Sequence, residues 1–220
     1  MAAHIVSEIV VPTRTPAPSK IRLKSFLVRG VGTNDSPNPI WVDGKNTKTY
    51  ATWGGMLERC YCPKYLALKP SYQGCTVTPE WLRFSVFESW MLRQDFIGNQ
   101  LDKDLLYPGN KVYGPDTCVF VSRALNCLLI DSSRSRGELP LGTSYNKPTK
   151  KYIATVCCEG TNKHLGLFLT PLEAHKAWQL AKAEIIEQFP TDNPRIRKAL
   201  DLRVAQLRDD HANNRITTKL

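Results

Sequence analysis

The stretch "LDKDLLYPGNKVYGPDTCVFV", residues 101–121, sets Asp102 and Asp104 on either side of Lys103, and "SRALNCLL" brings Asn126 shortly after. Two carboxylates around an amine are raw material for acid–base or metal chemistry. The same stretch, with Gly109-Asn110 between two apolar runs, also describes a plain hairpin with charged ends, so both readings stay open. Only one of the two aspartates is expected to face a metal. Cys60, Cys62, Cys75 and Cys118 form a second candidate group. Four thiolates suffice for a structural Zn2+, but these spacings lack the paired Cys-x-x-Cys of common zinc folds, and buried reduced thiols are the alternative. Cys157 and Cys158 are strand neighbours on opposite faces and cannot share an ion.

The whole chain narrows the chemistry. Its 220 residues carry 30 Lys and Arg against 20 Asp and Glu, a formal charge of +10 that favours a polyanionic partner, nucleic acid first. The longest apolar runs fall far short of the roughly 20 residues that span a bilayer. No helix pairs a strongly basic face with a bulky apolar one, so a membrane-surface role is disfavoured. The first residues do not read as a secretory signal. A cytoplasmic protein with reduced cysteines is expected.

The elements that must position these residues follow from pattern. Residues 1–20, with the Pro-rich "PTRTPAPSK", read as a flexible arm, and "IRLKSFLVRGVG" from residue 21 as strand-like. Asp43-Gly44 marks a turn. Tyr50, Trp53, Met56, Leu57 and Cys60 recur at helical spacing, as do Trp81, Phe84, Phe87, Trp90 and Met91. The segment 100–126 reads strand, turn, strand, short helix. Residues 131–141, Ser- and Arg-rich with Arg134 and Arg136, read as a linker or basic loop. Two alternating runs around "EGTN" predict a hairpin. Thr170, Pro171 and Glu173 predict a helix start with a capping box, followed by an apolar face of Ala174, Ala177, Trp178, Ala181, Ile185 and Phe189. A last amphipathic helix presents Ile196, Leu200, Val204 and Leu207.

Three short strands and one helix leave one sheet face uncovered, and a basic bare sheet can lie in a DNA major groove. "GTSYNKPTKKYIATV", "LGLF", "TPLEAHKAW" and "AKAEI" resemble the plant ethylene-response-factor type of DNA-binding domain over residues 142–189. That resemblance implies a three-stranded sheet presented to double-stranded DNA. Alternation puts Tyr152, Ala154 and Val156 on the helix and Lys151, Ile153, Thr155 and Cys157 outward. Lys147, Lys150, Lys151 and Lys163 are expected at phosphates, with Ile153 and Thr155 at base edges and Ser144 among the contacts.

"RCYCPKY", "YQGCTVTPEWLRFSVFESW" and "LDKDLLYPGNKVYGPDTCVFV" with the later Asn126 resemble a phage branch of the HNH, or His-Me finger, endonucleases. That family's ββα unit holds a divalent ion, Mg2+ or Mn2+, beside a general base. Carried over by position, Asp102 and Asn126 fall on the metal ligands, Lys103 on the general base and Thr117 on the middle Asn. The base departs from the family: the histidines are His4, His164, His175 and His211, and an ordinary lysine, pKa about 10.4, is protonated at neutral pH.

These readings give an α+β chain with an HNH-like module at 21–130, a linker at 131–141 and an ethylene-response-factor-like domain at 142–190. Residues 191–220 form a closing helix and tail. The function expected is binding of double-stranded DNA, with metal-dependent cleavage by Asp102, Lys103 and Asn126, or a non-catalytic regulatory clamp that keeps the nuclease fold.

Overall fold

A computed structural model describes residues 27–129, 137–158 and 160–220. The expected arm at 1–20 and Arg134 and Arg136 lie outside them, and so does most of the strand-like run from residue 21. The architecture is α+β, with several small sheets and helices between them.

Asp43 and Gly44 both take positive φ, which closes the two-residue hairpin of β1 (Trp41–Val42) and β2 (Lys45–Asn46). The Thr47 hydroxyl then caps α1 (Lys48–Tyr61) by accepting from the Tyr50 N–H. α1 buries Trp53, Met56, Leu57 and Cys60, the stripe its sequence predicts. A short α2 (Pro63–Leu68) and β3 (Thr76–Val77) follow. The expected helix through Trp81 breaks in two. Pro79–Leu82 forms a 3₁₀ turn, Arg83 is extended, and α3 (Phe84–Met91) starts afresh. The break lets the Trp81 carbonyl accept from Trp53 Nε1 at 2.7 Å. Buried Glu88 on α3 accepts from Ser36, Asn38 and Thr49, which ties the preceding loop and α1 together.

β4 (Gln100–Asp102) pairs antiparallel with β6 (Val119–Val121), and α4 (Arg123–Leu128) follows, capped by Ser122. The tight hairpin expected at Gly109-Asn110 does not form. The loop between the paired strands runs from 103 to 118, and inside it β5 (Val112–Tyr113) pairs in parallel with β3 instead. Parallel pairing with a strand about 35 residues earlier has no local sequence signal, because the partner is supplied by packing.

β6 is buried on both faces, which is why it reads "VFV" rather than alternating. Phe120 joins an aromatic core with α1 and α3, whereas Val119 and Val121 join a second core. That second core also takes Leu125 and Leu128 from α4, and Leu141, Val156 and Trp178 from the far side of residues 131–141. One hydrophobic core therefore draws on both expected modules.

The C-terminal part has β7 (Thr143–Asn146), β8 (Lys151–Cys158) and β9 (Thr161–Phe168) in one antiparallel sheet, in the order β7-β8-β9. α5 (Pro171–Glu187) packs across it, with the Thr170/Glu173 capping box formed as expected. Gly142, at φ +72°, lies where a Cβ would come within 1.9 Å of the Trp178 ring. α6 (Pro194–Ala212) covers a second side of α5, where Gln179 donates to the Arg215 carbonyl and His175 Nε2 accepts from the Thr217 N–H. Ile196, Leu200, Val204 and Leu207 are all buried there. Among the described residues no helix is long and apolar enough to cross a membrane.

Candidate functional site

The register of β4 builds the site. Gln100 pairs with Val121 and Asp102 with Val119, so these two polar side chains share the strand face opposite Leu101, which turns to the aromatic core. α4 follows β6 directly, and its Asn126 Nδ2 donates to Gln100 Oε1 at 2.9 Å. Asp102, at the strand end, turns the chain: its Oδ1 accepts from the N–H groups of Asp104 (2.8 Å) and Leu105 (2.6 Å). Burial lifts the Asp102 carboxyl above its ordinary range, and the two N–H groups oppose that rise. Asp102 and Asn126 line the same two spaces, an open cleft of about 470 Å³ and a cavity of about 190 Å³. Asp104 lines both as well, with its Oδ1 taken by the Lys103 ammonium. The chain has left the strand at Asp102, and strand alternation no longer applies to Asp104.

Lys103 is placed quite differently from a surface cation. Its residue is 5% exposed, and Nζ donates to Asp104 Oδ1 at 2.6 Å and to the Asn110 carbonyl at 3.0 Å. The rings of Tyr72 and Tyr113 lie 5.9 Å from it. Asn110 returns the contact, donating Nδ2 to the carbonyls of Lys103 and Val112. Thr117, at the middle position, donates to the Val112 carbonyl at 2.7 Å. Asn110 and Thr117 thus fix the loop from two directions. Asn110 escaped the sequence reading because it sat in an assumed turn.

Three further residues were missed. Arg59, from α1, lines the cleft with Nε donating to the Tyr113 hydroxyl at 3.0 Å. Arg203, from α6, is 3% exposed at the smaller cavity, where Lys219 also lies; its Nη2 reaches the Asp104 carbonyl at 3.4 Å. Burial lowers the Arg203 pKa, and the charge of Asp102 opposes this. Helical periodicity marks Arg203 as one basic residue among many, and only the packing of α6 sets it apart.

Cys60, Cys75 and Cys118 lie in one core, while Cys62 is half-buried outside it. Burial pushes the Cys60 and Cys118 thiols up to about 12, each opposed in part by Lys103. Zinc ligation requires thiolates. Among the described residues no group of three or more His, Cys, Asp or Glu side chains is arranged to hold a metal ion.

On the sheet, Ser144 pairs with Ile153, and Lys151 and Thr155 share their outer face. Lys147 and Lys150 are exposed in the β7–β8 turn. Lys163 pairs with Val156, a residue buried in the core, and so lies on the helix-side face rather than with the outer residues. The bulge between Ala154 and Thr155 brings His164 opposite Thr155, and Leu167 opposes Ile153, so these two join the outer face. No protein-family model, curated protein or solved structure matches this chain.

Proposed function

We propose that the chain binds double-stranded DNA and uses Asp102 and Asn126 to hold one divalent cation against a phosphate, as in an HNH-type ββα unit. The observation that carries this is the pairing of the two side chains at one cleft. With Nδ2 of Asn126 given to Gln100, its Oδ1 is left for a cation, and Asp102 keeps Oδ2 outside its backbone bonds. Two hard oxygen donors suit Mg2+ or Mn2+, which take the remaining positions from water and substrate phosphate. Such an ion would neutralise charge developing on a phosphodiester. Asp102 supplies the charge, Gln100 orients Asn126, and Lys103 with Asn110 holds the loop.

A second reading, a DNA clamp without cleavage, has its own support. Among the described residues no histidine lines either cavity, and the lysine at the base position is buried in two hydrogen bonds and two ring contacts. In both readings Lys147 and Lys150 of the β7–β8 turn and Lys151 of the outer sheet face meet phosphates, with Ser144, Ile153 and Thr155 against the groove. Supercoiled plasmid incubated with Mg2+ or Mn2+ separates the two readings. Nicking abolished by Asp102→Ala is the expected result for the enzyme, and tight, metal-independent binding without nicking identifies the clamp.

A further inference from the structure

The α1 wall of the 470 Å³ cleft carries chemistry that neither the cation pair nor the sheet uses. Lys48, Ala51, Thr52, Gly55 and Arg59 all line it. Their spacing of three, four, seven and eleven residues from Lys48 puts them on one helical stripe. At about 1.5 Å per residue, the two cations at its ends lie roughly 16 Å apart along the axis.

Arg59 is held but not neutralised. Its guanidinium packs 5.4 Å from the Tyr113 ring centroid and 6.0 Å from that of Tyr72, with Nε fixed on the Tyr113 hydroxyl. Arg59 forms no ion pair among the described residues, while Glu58 pairs with Arg29 at 2.8 Å and Asp104 with Lys103 at 2.6 Å. Neither Nη has a protein acceptor among the described residues. A rigid guanidinium with both Nη groups unspent suits the bidentate geometry of phosphate. Lys48 is exposed and forms no ion pair among the described residues. Between the two cations the stripe is low. A Cβ built on Gly55 would meet only Arg59 Nη1, at 3.7 Å.

We infer that this stripe is a backbone track for a nucleic-acid strand, which enters the cleft with Arg59 clamping one phosphate and Lys48 another several nucleotides away. Resting on the DNA-binding reading above, it adds a second contact surface on α1, distinct from the sheet. A free phosphate ion cannot satisfy both cations across roughly 16 Å, whereas the repeating phosphates of one strand can meet both at once. The small residues between admit the sugar-phosphate chain close to the helix.

The test is equilibrium binding of a short duplex in EDTA, across a salt series, to the full chain and to Lys48→Gln, Arg59→Gln, Gly55→Glu and Lys150→Ala/Lys151→Ala variants. Each of the first two should lower the slope of log K against log salt by about 0.9. Gly55→Glu, which adds a carboxylate to an open helix surface, should weaken binding at least tenfold at low salt. Lys48 is exposed, so its variant remains informative if Arg59→Gln fails to fold. Unchanged slope and affinity in both Lys48→Gln and Gly55→Glu, with loss confined to the sheet variant, overturn the track and leave the DNA reading standing. A parent that binds no duplex overturns both. Inorganic phosphate that removes the Arg59-dependent part at matched ionic strength, with Lys48→Gln silent, identifies a single-anion pocket and overturns the track.

Discussion

Asn126 Nδ2 donates to Gln100 Oε1 at 2.9 Å, and this bond between helix and strand decides which end of the Asn126 amide faces the cleft. A cation needs the oxygen end. For the cation site proposed above, Gln100 is therefore a positioning residue rather than a ligand. Replacing it with Leu frees the amide to rotate. Loss of a partner that orients a ligand costs about 10- to 100-fold in metal affinity. Calorimetric titration of Mn2+ into Gln100→Leu should show a loss of this size, while duplex binding in EDTA stays at the parent level.

Lys182 gives a pH-dependent signature of the packing between α5 and α4. Its Nζ donates to the Leu128 carbonyl, and burial lowers its pKa from 10.5 to about 8. The folded pKa lies below the unfolded one, so the fold carries the cost of the buried ammonium in full below about pH 8 and is relieved of it as the pH rises toward 10.5. The swing is on the order of 3 kcal/mol. In denaturant unfolding at a series of pH values, the stability difference between Lys182→Met and the parent should shrink or reverse across this window, always in the direction that favours the parent at high pH.

Trp41 should dominate the quenchable fluorescence. It is 60% exposed at the β1–β2 hairpin, whereas Trp53, Trp81, Trp90 and Trp178 are all below 10%. Acrylamide should quench the parent emission appreciably, and Trp41→Phe should leave a blue-shifted spectrum that is nearly insensitive to quencher. A variant that quenches like the parent would place another tryptophan in water and contradict the aromatic core.

On the sheet, charge and contact should separate. Lys150→Ala with Lys151→Ala is expected to weaken binding to all sequences and lower the salt slope by roughly 1 to 2, whereas Thr155→Ala should change sequence preference at nearly constant slope. Lys163 lies on the helix-side face, opposite Val156, so Lys163→Ala should leave both quantities close to the parent. Fluorescence anisotropy with several duplexes over a salt series measures all three.

Gly142→Ala should be among the most damaging single changes in the C-terminal part. The new methyl would lie 1.9 Å from Trp178 Cδ1, at a φ of +72°. Overpacking of this kind costs about 1–3 kcal/mol or more, and the backbone conformation adds to it. Gly54→Ala is the control: nothing lies within 4 Å of its Cβ position, and removing a helix-interior glycine should stabilise by about 1 kcal/mol.

The elements that can be read in the sequence are those whose determinants lie within a turn or two of one another. The Thr170/Glu173 capping box, the α1 stripe from Trp53 to Cys60, the Asp43-Gly44 turn and the β8–β9 hairpin all formed where expected. Each depends on spacings of two to four residues, which the chain satisfies before any distant part arrives. The ordering of Asp102, Lys103 and Asn126 as strand end and helix was equally legible.

Contacts between residues far apart in sequence decided the rest. Glycine and asparagine at 109 and 110 signalled a hairpin, but β5 found β3, and Asn110 became the brace of the loop. Position alone put Lys103 at the general-base place of the ββα unit, and only packing shows it buried against Tyr72, Tyr113 and Asp104. Arg195 reaches the carbonyls of Pro115 and Cys118, and Arg203 that of Asp104, so α6 folds onto a loop 77 to 99 residues earlier. Periodicity reports which face of an element is apolar. It does not report which other element will cover that face, because the free energy of burial depends on area and fit and is indifferent to separation along the chain. The sequence by itself thus determined the local elements and their chemical residues, and tertiary packing decided which of those residues meet at the cleft.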